Sequence, residues 1–161
     1  MIKTETTKAI LHNRELLWGA FENFYQTLIQ IKQGIENLTE IQKHPIIAFI
    51  YSCDVYRGGH ITFMDLNKGI ISSEEVIRAL NILNIDDRYI QNIRQITDDF
   101  IFPCDDNFDW DRDDNEIAKH MDAISDQLDS IYVGFAGREE FQEKICEYVL
   151  GNYTEFFIIN D

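Results

Sequence analysis

Two rows of carboxylates stand at helical spacing near the end of the chain. Asp122, Asp126 and Asp129 fall at i, i+4 and i+7, and Glu139, Glu143 and Glu147 at i, i+4 and i+8. Four residues of helix rise about 6 Å, close to two phosphate steps of about 3.4 Å on one nucleic-acid strand. Acids fixed at that pitch can imitate a phosphate backbone, and the chemistry they offer is the binding of a basic surface. An ordinary amphipathic helix also places acids outward, so the same rows read equally as a solvated face. A second candidate is the acidic segment 104–115 together with the Glu116 that follows it: Asp105, Asn107, Asp109 and Glu116 follow the order of a calcium-binding loop. Trp110 stands where the sharp turn of that loop requires glycine, so the expectation is a solvated loop without a specific metal site.

The other chemistry-bearing residues form no local pattern. His12, His44, His60 and His120, with Cys53, Cys104 and Cys146, contain no C-x2-C or H-x3-H pair, and no zinc site is expected. Cys53 and Cys146 lie in apolar stretches and read as buried fillers. There is no G-x-S-x-G, Walker or dinucleotide loop, and no cofactor is implied. Gly58-Gly59 is a structural turn signal. An enzyme site built around it is the third-ranked reading, no local pattern supports a Cys-His nucleophile pair, and the protein is expected not to be an enzyme.

The elements that carry these residues follow from hydrophobic period. Residues 9–33 read as an amphipathic helix, with Leu17, Phe21, Phe24, Leu28 and Ile31 on one side and Gly34 as its stop. Thr39 and Gln42 have capping-box spacing, and Pro45 kinks or restarts the helix that follows. The run Ile46–Tyr51 fits a strand or a helix. It is assigned to helix because the apolar stretch continues to Val55 and Tyr56. Gly58-Gly59 should end it, with His60 to Lys68 a separate short segment that turns Phe63 inward. Ser72 and Glu75 open another helix by a capping box, and Asp86 caps the next, whose inner face is Ile90, Ile93, Ile96 and Phe100. Ile117, Met121, Ile124, Leu128 and Ile131 form the stripe of one late helix, and Phe141, Ile145 and Tyr148 that of another. Phe156-Phe157-Ile158-Ile159 is apolar enough to dock on the body. The expected fold is all-α: residues 1–161 form one compact domain of six or seven helices, with no sheet of three or more strands.

Charge narrows the function classes. The 161 residues carry a formal net charge of −15. Residues 1–60 hold six basic and six acidic residues, and residues 61–161 hold eight and 23, so the whole excess lies in the later part. Such asymmetry disfavours direct contact with nucleic acid or an anionic membrane and favours a basic partner. Three cysteines, no apolar stretch of about 18 residues and no signal-peptide core lead to the expectation of a soluble, cytoplasmic protein.

One ordered set of motifs adds a resemblance. It comprises Arg57-Gly58-Gly59-His60-Ile61-Thr62-Phe63-Met64, then Ala79-Leu80, then Leu128-Asp129-Ser130-Ile131-Tyr132, then Tyr148 through Phe156. From residue 38 to residue 157 the chain resembles the all-helical family of domains of unknown function that includes DNA-mimic proteins. The family pattern runs Asn-Gly-Gly-Phe-x-Gln-Tyr-Phe, a helix with Ala-Leu, a Leu-Asp-x-x-Phe/Tyr element and a tyrosine-to-phenylalanine ending. Arg57 replaces its asparagine, Thr62 its glutamine, and Leu66 a second asparagine, so any polar site made by those amides would be lost here. The resemblance implies an all-α fold and a DNA mimic occupying a basic DNA-binding protein. The charge asymmetry and the two carboxylate rows point independently to an acidic protein-binding module, with Asp122, Asp126, Asp129, Glu139, Glu143 and Glu147 as its contact residues. An immunity-type protein that neutralises a basic toxin or nuclease requires the same surface.

Overall fold

The computed structural model describes residues 2–32, 34–67, 69–99, 114–134 and 137–160. Within them the chain is all-α. Seven helices are α1 (Arg14–Gln30), α2 (Glu40–Asn67), α3 (Ser73–Ile82), α4 (Asp87–Asp99), α5 (Asp114–Gly134), α6 (Gly137–Gly151) and the single turn α7 (Tyr153–Phe156). Two short strands, β1 (Thr4–Thr7) and β2 (Phe157–Asn160), pair in parallel with Thr4 opposite Phe157 and Thr7 opposite Asn160.

Local chemistry sets the helix starts. Asn13 caps α1 by accepting from the Leu16 amide at 3.0 Å, so the helix begins five residues later than the hydrophobic period suggested. A short 3-10 turn, Lys8–Leu11, occupies the preceding stretch. Thr39 and Gln42 exchange capping-box bonds at the start of α2, and Ser72 and Glu75 do so at α3. Asp86 caps α4 through the amides of Arg88 and Tyr89.

The axis of the molecule is α2. It runs through Pro45 without losing helical backbone, because burial of Ile46, Ile47, Ala48, Phe49 and Tyr51 outweighs one missing amide bond. Its leading half packs on α1 and α6. Gly58-Gly59 is a joint rather than an end: only these two residues leave helical geometry, and the helix resumes at His60. Residues 60–67, expected as a separate segment, are therefore the trailing half of α2. Phe63 there is 1% exposed, turned inward as the sequence indicated.

The core is aromatic. Phe21, Phe24, Tyr51, Phe63, Phe141 and Phe156 are all buried, and Phe24 meets Phe156 edge to face with centroids 5.4 Å apart. Each such side chain contributes roughly 1.5–3 kcal/mol by leaving water. Phe156 brings the end of the chain onto α1, and β2 then reaches β1. The docking of 156–159 was legible in the sequence, and the strand pairing was not.

Candidate functional site

The joint in α2 creates a specific problem. A helix that begins at His60 has amide groups with no partner in the preceding turn. Its own flanking residues, Gly58 and Gly59, have no side chains with which to cap it. The cap arrives from α5. Asp129 Oδ1 accepts the His60 amide at 2.9 Å, and Ser125 Oγ accepts the Ile61 amide at 3.3 Å. Ser125 and Asp129 lie four residues apart, on one face of α5, so a single helix face closes both amides. Serine and aspartate are ordinary capping types, supplied here from 64 and 69 residues away. A carboxylate at a helix N-terminus also meets the favourable end of its dipole.

Gly59 is required on two counts. Its φ is +77°, the left-handed region, and a Cβ built there would fall on Asp129 Oδ2. The absent side chain makes room for the cap.

The same carboxylate starts a chain of hydrogen bonds into the core. Asp129 Oδ1 also faces His60 Nδ1 at 2.5 Å. An ionised carboxylate can only accept, so Nδ1 carries the proton and Nε2 is the acceptor. Tyr51 Oη, 2.7 Å from Nε2, therefore donates to it, and Tyr89 Oη, 2.7 Å further on, donates to Tyr51. Beside this chain, Tyr132 Oη donates to the Ser52 carbonyl and receives the Ser52 hydroxyl. His60, Tyr51 and Tyr89 are at most 2% exposed, whereas the Asp129 side chain is 37% exposed.

Electrostatics agree with that order. Burial pushes the His60 imidazole down, the Asp129 carboxylate pushes it up, and burial prevails, leaving the ring neutral at physiological pH. Partial burial pushes the Asp129 carboxyl up, but hydrogen bonds from His60 and Ser125 outweigh it and hold the group below its ordinary value. Burial raises both Tyr51 and Tyr89, so each keeps its proton.

The carboxylate rows divide accordingly. Asp122 and Asp126 are exposed on α5. Asp129 is not the third member of an outward row: it turns to the joint, because an uncapped helix end attracts a carboxylate more strongly than solvent does. On α6, Glu139 is exposed, Glu143 pairs with Arg14 at 3.0 Å, and Glu147 pairs with Lys144 at 3.1 Å. Asp122, Asp126 and Glu139 have no cation within 4 Å among the described residues. Of the α5 stripe, Ile124 and Leu128 are buried and Ile131 is half-buried, while the side chains of Ile117 and Met121 lie outside the described residues. In α6 the inner face is Phe141, Ile145 and Val149, with Tyr148 at its margin.

Other candidates fall out simply. The calcium-like segment 104–115, with Cys104 and Trp110, lies outside the described side chains. Among the described residues no three His, Cys, Asp or Glu side chains gather as a metal site. Cys146 is buried as expected, and Cys53 is half-buried. Arg57 is exposed, and Thr62 donates its hydroxyl to the Gly58 carbonyl inside the joint. Leu66 is 60% exposed. No helix among the described residues is long and apolar enough to cross a membrane.

Sequence reasoning missed Ser52, Tyr51, His60, Tyr89, Ser125 and Tyr132 as a connected set. One signal was available: Gly58-Gly59 ahead of a helical segment leaves a helix end with no local cap. Comparison with protein-family models, characterised proteins and solved structures finds no match to this chain.

Proposed function

We propose that the protein is an acidic protein-binding module whose partner is a basic surface, of the kind a DNA-binding protein presents. The observation that carries this reading is the exposed set Asp122, Asp126 and Glu139, without a cation partner among the described residues, on consecutive helices that both pack against α2. Glu143 and Glu147 extend the set, with their charge already shared by Arg14 and Lys144. Net charge of −15 adds long-range attraction for a cationic partner and repulsion for nucleic acid. The motif order that resembles the DNA-mimic family supports the same reading. Two of its motifs, at 57–64 and 128–132, meet at the joint through His60 and Asp129. An enzyme site at Gly58-Gly59 finds less support, since the His60 and Tyr51 side chains are sealed from any substrate. We place the module in the cytoplasm, where its cysteines stay reduced.

The test is a comparison of wild type with Asp122→Asn/Asp126→Asn, which keeps side-chain size and removes two charges. Basic proteins captured from extract of the native cell at low salt should elute as salt rises, since exposed charges are screened over about 8 Å at physiological ionic strength. The double variant should capture less, with a flatter salt dependence. Equal capture at every salt concentration would reduce these residues to a solvated face.

A further inference from the structure

The joint in α2 is closed by a cap supplied from another helix. The trailing half of α2 owes two of its first amide bonds to α5, through Asp129 and Ser125. Behind them the hydrogen-bond chain has one polarity: Tyr89 to Tyr51, Tyr51 to His60 Nε2, His60 Nδ1 to Asp129. The groups around His60 come from three helices: Tyr51 on the leading half of α2, Tyr89 on α4, and Asp129, Ser125 and Tyr132 on α5, with apolar Phe141 of α6 against Tyr51. Asp129 is the one charged side chain that acts on His60 among the described residues.

We propose that this joint is an acid-opened latch, in which protonation of His60 releases the trailing half of α2 from α5 while α1 and α6 stay packed on the leading half. A proton from solvent adds to Nε2 and turns it from acceptor to donor. It then points at a tyrosine oxygen that is donating to it, so the bond to Tyr51 can persist only if Tyr51 reverses toward Tyr89. The cationic ring must also sit where it is 1% exposed. In the open state the ring is hydrated and takes its ordinary affinity for protons, near pH 6.5.

The direction follows from linkage. The closed state holds His60 below its ordinary value, so opening takes up a proton as pH falls from about 6.5 toward that lower value. Closure is therefore complete above about pH 6.5 and weakens below it. Asp129 works in the same sense at lower pH, since its closed-state value lies below 3.8. Opening also frees the Asp129 carboxylate into solvent beside Asp122 and Asp126, changing the face proposed to meet the partner.

Amide hydrogen exchange tests the latch without any partner. Protection factors, corrected for intrinsic exchange, are measured at pH 7.0 and pH 5.5 for wild type, His60→Phe and Asp129→Asn. In wild type the His60 and Ile61 amides should lose protection by about threefold or more, and by no more than tenfold per pH unit for one proton. Helix α1 should keep its protection. His60→Phe keeps the ring volume, removes the titrating group, and should abolish the dependence. Asp129→Asn keeps an acceptor at the cap but not its charge. It should lower protection at both pH values and retain the dependence, which serves if His60→Phe does not fold. Flat protection in wild type overturns the latch. So does an equal loss in His60→Phe, or a loss that spreads to α1 in parallel.

Discussion

Asp129 and Asp126 are the same residue type on the same helix, three positions apart, and they do different work. Asp126 stands in water, while Asp129 accepts two bonds from His60 and one from Ser125. Asp129→Ala should therefore lower stability by about 1–2 kcal/mol in urea denaturation. That is the cost of stranding charge-assisted donors, discounted because about a third of the side chain meets solvent. Asp122→Asn or Asp126→Asn should stay within about 0.5 kcal/mol of wild type. Equal effects at all three positions would contradict the capping role. The sequence could not separate them, because helical period places all three acids away from Ile124 and Leu128. What distinguishes Asp129 is an amide 69 residues away, which no local window contains.

At the scale of elements, helix type and approximate extent were legible wherever a cap or a stripe was local. Ser72 with Glu75, Thr39 with Gln42, and Asp86 all cap helices as their spacing indicates. Elements defined by distant pairing were not legible. Thr4–Thr7 is four polar residues, and it becomes a strand only because β2 returns beside it. Gln42 secures that return. Its buried side-chain amide donates to the carbonyls of Ile2 and Glu155, each at 2.7 Å, and so ties both chain ends to the first turn of α2. Gln42→Leu fills the same space but strands those carbonyls and opens the capping box. It should cost about 1–3 kcal/mol in urea, with β1 and β2 losing hydrogen-exchange protection first. Strands that remain protected in this variant would show that pairing stands without the tie.

For the whole molecule, the decisive quantity is −15 charges on one small body. Self-repulsion opposes compaction at low ionic strength and is screened by salt. The melting temperature should therefore rise between about 10 mM and 200 mM sodium chloride, a range over which the screening length falls from about 30 Å to below 10 Å. A melting temperature independent of salt would mean that the few internal ion pairs offset the repulsion. The all-α class was readable from composition and period together, since the aromatic core needs only amphipathic stripes to assemble it. The acid-sensitive joint was not, because it depends on where α5 crosses α2.

The parallel pairing of β1 with β2 has a mechanical consequence. Residue 4 lies at one end of the strand pair and residue 160 at the other, since Thr4 faces Phe157 and Thr7 faces Asn160. A pull applied between these two points drags the strands past one another along their length. The slanted bonds of a parallel ladder then share the load and must yield together. Antiparallel strands pulled from adjacent ends would instead peel apart one bond at a time. The strand pair thus forms a shear clasp, four residues on each side, and Gln42 anchors it to the first turn of α2.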